Sequence, residues 1–367
     1  MKFTLKKSEI LKPLNKVRNI INIKSMKPVL QNMLVDLKDG VMVIEGSDLE
    51  VGIRYKIDIS GIEDEGRTTF PAEKLVKIVT EAPDENIAVL VEDDKAYIAS
   101  GSAKFELSVL SADDYPEFPE FESSGKLTVS FKKLKEMINR TIIGTAMDSA
   151  RYVFRGILFE YEDGVFNLVA TDSHILAKAS AAPGDCSIQE PMKVVVPRKV
   201  LEELLKFDYE GNIDISFNNQ NIRFDFDDVV LVSRLIDAKY PKYDKVIPTI
   251  NNKEAFVPRG ELLDSFKRVS VFINRESGRS SLAFTANKLR VTARLSDIGT
   301  AEDVIPVEYD GEELRIDFNY KYLKDILGTL EDDKISFGMY NNESAVIVRP
   351  QGGGDYIWVV MPLVMLD

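Results

Sequence analysis

Few residues in this chain could carry chemistry on their own. Its single histidine, His174, stands two places after Asp172. A carboxylate can orient an imidazole as a general base, but such a pair needs a companion nucleophile. Here the pair closes a predicted strand without one. Asp225, Asp227 and Asp228 offer the oxygen ligands that a divalent cation takes. They follow the alternating run Ile222-Arg223-Phe224-Asp225-Phe226, however, and read as its solvated face and turn. Gly352-Gly353-Gly354 lacks the strand-to-helix setting of a phosphate loop and reads as a hairpin loop. One histidine rules out multi-histidine metal sites, and one cysteine, Cys186, rules out an internal disulfide framework and fits a reducing compartment. The expectation is a non-enzyme with no metal site and no cofactor.

The elements that must position these side chains come next. With 367 residues and 44% hydrophobic content, the chain can bury cores for two or three domains. No apolar run approaches the roughly 20 residues of a membrane span. The opening Met1-Lys2-Phe3-Thr4-Leu5-Lys6 alternates like a strand and has no signal-peptide core. A soluble cytoplasmic protein with no membrane partner is expected. The net charge of -13 describes the whole surface and leaves room for a local basic stripe.

Hairpin signals recur. Val35–Ile44 holds a strand, the Asp39-Gly40 turn and a second strand; Ile157–Leu168 repeats this around Asp163-Gly164, and Leu282–Val291 repeats it around Asn287-Lys288. The period is about 124 residues. A second hairpin family turns at Asp93-Asp94, Asn219-Gln220 and Asn341-Asn342. Six amphipathic helices are predicted over 8–22, 72–81, 131–143, 198–207, 259–271 and 320–330. Each repeat thus looks like a doubled helix-plus-strands motif. The Pro-rich segments after Tyr115 and Tyr240 set domains at 1–122, 123–250 and 251–367. The predicted fold class is α+β, three similar domains each with antiparallel sheet. The helices are net basic and the remainder is strongly acidic, which suits an anionic polymer on one face. Lys12, Lys16, Lys133, Arg140, Lys199, Lys206, Lys267, Lys321 and Lys324 are the helix cations expected to point at it.

This arrangement resembles the bacterial sliding clamp, the beta subunit of the replicative DNA polymerase. The resemblance spans the chain. Leu11-Lys12-Pro13-Leu14, Gly46-Ser47-Asp48-Leu49-Glu50, Phe70-Pro71-Ala72 and Tyr115-Pro116 carry it in the first repeat. Arg151-Tyr152, Ala170-Thr171-Asp172-Ser173-His174 and Val196-Pro197-Arg198-Lys199 carry it in the second, and Tyr356–Leu363 in the third. The resemblance implies a DNA-clamp fold: two subunits joined head to tail as a homodimer, six domains in a ring, helices lining the hole. It implies double-stranded DNA held topologically, without sequence preference. It also implies that the replicative polymerase and clamp loader dock through short peptide motifs. A scaffold that binds only proteins is the rival non-enzymatic reading.

Carried onto this sequence, the resemblance marks Lys12, Lys24, Arg198 and Lys199 as DNA-facing. It assigns a peptide pocket to Thr171, His174, Leu176, Pro241, Val246, Val359, Met361, Pro362 and Leu363. It assigns the subunit junction to Lys104, Phe105 and Leu107 against Phe272 and Ile273. There are departures. Where many clamps carry Arg after the histidine, this chain has Ile175, and Met361-Pro362-Leu363 runs on to Val364-Met365-Leu366-Asp367 without the usual arginine. A more apolar pocket, with weaker preference for acidic flanks in its peptide, is expected.

Overall fold

The computed structural model describes residues 1–188, 191–274 and 276–364. Helices are α1 (Lys7–Ile20), α2 (Ala72–Glu81), α3 (Phe131–Thr141), α4 (Arg198–Leu205), α5 (Arg259–Val269) and α6 (Tyr320–Thr329). The chain forms two compact units. One is Met1–Phe131 with Gly184–Gln189 and Glu202–Leu235; the other is Lys132–Pro183 with Glu190–Leu201 and Ile236–Asp367.

The first unit holds an antiparallel sheet of eight strands, in the order Gly125–Ser130, Asn212–Phe217, Asn221–Phe226, Val229–Arg234, Val51–Asp58, Val41–Ser47, Asn32–Lys38, Gly66–Pro71. Its central seam pairs Val229 with Tyr55 and Ser233 with Val51. Strands of two successive repeats therefore share one sheet. A second sheet of five strands runs Ile62–Asp64, Lys2–Lys6, Asn86–Glu92, Lys95–Ser100, Ala103–Ser108, and its last strand is an open edge. The turn at Asp39 (φ 51) and Gly40 (φ 81) has both residues left-handed, as a two-residue hairpin matched to strand twist requires. In α1, Ile10, Leu14, Val17 and Ile20 are buried on one stripe. Gly46 lets that helix lie close: a Cβ there would sit 2.6 Å from Val17 Cγ1.

The second unit repeats the plan. Its eight-stranded sheet runs Met192–Pro197, Gly156–Glu162, Val165–Thr171, Ile175–Ala181, Tyr356–Val360, Val346–Pro350, Lys334–Met339, Lys253–Pro258. The seam pairs Ile175 with Val360 and Ala179 with Tyr356, again joining successive repeats. A four-stranded sheet, Gly299–Pro306, Lys288–Leu295, Arg279–Thr285, Leu314–Asn319, leaves Gly299–Pro306 at an open edge. Helices α5 and α6 pack with these strands over one core that includes Phe266, Phe284, Phe318, Phe337 and Trp358. Helix ends leave carbonyls that need donors. The Trp358 indole N–H donates to Arg140 O at 2.9 Å, and the Arg198 guanidinium donates to Ile142 O at 3.1 Å and Thr145 Oγ1 at 2.7 Å. Arg259 does the same for Leu327 O and Asp332 O, each at 3.1 Å.

Candidate functional site

The eight-stranded sheet of the second unit has two apolar faces. Alternation along a strand sends neighbours to opposite sides. Ile175, Ala177, Trp358 and Val360 enter the helix-covered core. Leu176 and Val359 turn the other way, into a separate cluster with Leu158, Val169 and Val195. Register places Thr171, Leu176, Val359 and Ile347 side by side on successive strands. The cover on this second face is irregular chain: Val153 and Phe154 from a single helical turn, and Tyr243, with half-buried Ile236, Tyr240 and Ile247, from the segment that ends the second repeat.

The rim is built by the turn between strands Val165–Thr171 and Ile175–Ala181. The Asp172 carboxylate accepts the backbone N–H groups of His174 (2.8 Å) and Ile175 (2.9 Å), which holds Ser173 at φ 80. Thr171 Oγ1 donates to Ile175 O at 2.7 Å. The other Asp172 oxygen accepts from the Tyr322 hydroxyl at 2.7 Å. Burial and then this carboxylate push the Tyr322 phenol above its ordinary range, so it stays a donor. Asp172 is thus a turn-former, and His174 lies exposed beside it. His174 O accepts from Met361 N at 2.9 Å, tying the last strand to the rim.

The nine residues expected in the pocket therefore take two positions. Leu176 and Val359, each 2% exposed, lie buried beside Thr171 on the second face of the sheet. His174, Pro241, Val246 and Met361 are exposed, while Pro362 is buried and Leu363 half-buried. Tyr243 and Phe154 in the cover and Tyr322 beside the turn were not among the residues expected there; for the crossing segment the available signal was the pair Tyr240 and Tyr243. The missing rim arginine has a physical counterpart: Ile175 is buried in the core on the opposite face. Val364 is exposed, and Met365, Leu366 and Asp367 lie outside the described residues.

The basic candidates separate as well. Lys12, Lys24 and Lys199 are exposed. Arg198 is half-buried, with its guanidinium engaged on the carbonyl beyond α3. Two of the helix cations expected to point at an anionic partner are engaged within the chain instead. Arg140 is 8% exposed, ion-paired with Glu136 at 2.7 Å, with its guanidinium carbon 3.6 Å from the Tyr356 ring centroid. Lys133 folds onto the same ring and donates to the Tyr356 hydroxyl at 2.8 Å and to Asp355 at 3.1 Å. A ring face and nearby carboxylates hold both side chains against the sheet. Lys206 and Lys267 pair within their own helical turns, with Glu203 (2.6 Å) and Asp264 (2.7 Å).

At the open edges, Phe105 and Leu107 are half-buried and Lys104 is exposed. Phe272 is half-buried over Gly299, where a Cβ would meet its ring at 2.6 Å. Ile273, expected at the junction, is 7% exposed and belongs to its own core. No described helix is long and apolar enough to cross a membrane.

Comparison with known proteins covers the whole chain. Residues 1–119, 128–242 and 244–364 match the N-terminal, central and C-terminal domain models of the DNA polymerase III beta subunit. The beta sliding clamp of Pseudomonas aeruginosa is 31% identical over 99% of this chain and 100% of the relative. That of Escherichia coli K12 is 30% identical over the same shares. A solved P. aeruginosa sliding clamp bound to griselimycin superposes with a TM-score of 0.96 at 30% identity, covering 100% of both chains. The sliding clamp of Bacillus subtilis gives 0.93 at 25% identity, covering 100% of this chain and 99% of that one.

Proposed function

This chain belongs to the DNA polymerase III beta subunit family, and from that premise we infer that it is a sliding clamp, encircling duplex DNA and tethering the replicative polymerase to it. The observation that carries the ring is the pattern of finished and unfinished sheets. Wherever one repeat follows another, a strand of each meets in an antiparallel seam and the sheet reaches eight strands. The first and last repeats each keep one short sheet, whose edges Ala103–Ser108 and Gly299–Pro306 hold the positions that are paired at those seams. Pairing these edges between two copies repeats the seam head to tail and closes six domains, 1–122, 123–250 and 251–367 from each subunit. Phe105 and Leu107 then face Phe272, with Lys104 beside them.

The work is topological and no reaction is catalysed. Lys12, Lys24 and Lys199 supply weak, sequence-independent attraction, screened beyond about 8–10 Å at physiological salt. Arg198 contributes less, because its guanidinium already serves a helix end. The pocket over the Leu176–Val359 floor takes short apolar peptide motifs from the polymerase and the clamp loader, and the griselimycin of the solved relatives is a probe for it. Such a protein works in the cytoplasm, where bacterial DNA lies. The test is retention. Loaded on closed circular duplex with a clamp loader, the protein should stay bound through a high-salt wash and be lost once the circle is cut. Equal loss from both forms overturns the clamp and leaves a protein-only scaffold.

A further inference from the structure

The segment from Ile236 to Ile247 crosses the second face of the sheet as irregular chain and carries Pro241 and Val246, two of the proposed pocket walls. Irregular chain has no ladder of hydrogen bonds to set its height over a sheet, so side chains must do it. At its start, Ile236 N donates to Val195 O at 2.9 Å. Beyond that its backbone bonds are internal: Ala238 N to Ile236 O at 2.9 Å, Val246 N to Tyr243 O at 3.0 Å and Ile247 N to Asp244 O at 3.3 Å. The hydroxyl of Tyr243 reaches down to the Glu160 carboxylate on strand Gly156–Glu162. Both residues are 6% exposed. The Glu160 carboxylate also accepts Lys193 Nζ from the neighbouring strand at 2.9 Å, and Lys178 Nζ lies 5.6 Å from the Tyr243 ring centroid.

We propose that Tyr243, held by Glu160 and Lys193, is the positioning residue of the peptide pocket: it fixes the 236–247 segment at the height where Pro241 and Val246 complete a wall over the Leu176–Val359 floor. The proposal rests on the pocket reading above. A buried carboxylate is costly unless it is paired and hydrogen-bonded, and here one oxygen pair serves both a cation and a phenol. The phenol is a dependable donor, since burial and then the adjacent Glu160 charge hold it far above its ordinary range. Hydrogen bonds to charged groups are among the stronger ones, so removing the hydroxyl releases the segment without emptying the volume the ring fills.

The experiment is a double-mutant cycle on the full-length protein, with griselimycin binding followed by titration calorimetry. Tyr243→Phe should weaken binding about tenfold, and Glu160→Ala should do the same. The double variant should be no weaker than either single change, because both break one link. Glu160→Gln keeps an acceptor and should recover most of the affinity. Solution mass and retention on circular DNA should be unchanged in every variant, which separates positioning from loss of fold. Additive losses, or Tyr243→Phe binding like the parent, overturn the proposal. Leu176→Ala is the control for the premise. If it too leaves binding unchanged, griselimycin binds elsewhere and the pocket reading fails; if it alone weakens binding, only the role of Tyr243 fails.

Discussion

Ile175 and Leu176 are adjacent, equally buried at 2% exposure, and unlike in their surroundings. Ile175 looks into a core sealed by helices α5 and α6; Leu176 looks into a cluster roofed by a turn and a crossing segment. The same contrast separates Val360 from Val359 one strand over. Burial alone therefore does not distinguish the core from the proposed binding floor. The nature of the cover does. A helix brings its own hydrogen bonds and a continuous apolar stripe, whereas an irregular segment is held by a few side chains and opens at lower cost.

The sharpest way to break this comparison is at Trp358, fully buried on the core face and bonded to the end of α3. Trp358→Ala should cost about 3–5 kcal/mol in urea unfolding. A loss below 1 kcal/mol would put the two faces on one footing. On the other face, Leu176→Ala should cost about 2 kcal/mol, since the roof can settle, yet it should weaken griselimycin binding at least tenfold. A stability loss matching that of Trp358→Ala would make the floor ordinary core. The smallest effect concerns charge at the rim. With Ile175 turned into the core, peptides with acidic and with neutral flanks should bind within about twofold of each other, and a clear acidic preference in titration would reveal a cation at the rim that this reading lacks.

Much of the fold was legible in the sequence because its signals are local. The Asp-Gly turns at 39–40 and 163–164 demand positive φ and have it, and helices 72–81 and 259–271 follow their apolar spacing to within two residues. The proposed pocket floor rests on the resemblance, since nothing in the spacing of Leu176 and Val359 distinguishes them from their neighbours. The roof was illegible: Tyr243 reaches Glu160 across 83 positions, and a single contact of that range leaves no periodic trace. Arg140 and Lys133 misled for a related reason. Their spacing puts them on a polar helix face, but the Tyr356 ring that claims them comes from a distant strand.

The seams inside the chain also bear on how it is made. Val51 finds Ser233, and Ile175 finds Val360, only after most of the intervening chain exists. Closing such long loops before contacts repay them is slow. During synthesis the first repeat holds Val51–Asp58 against Val41–Ser47 on one side, but its other edge must wait unpaired until the strand ending at Arg234 has emerged. The nascent protein is thus open to strand-to-strand aggregation along that edge until the seam forms.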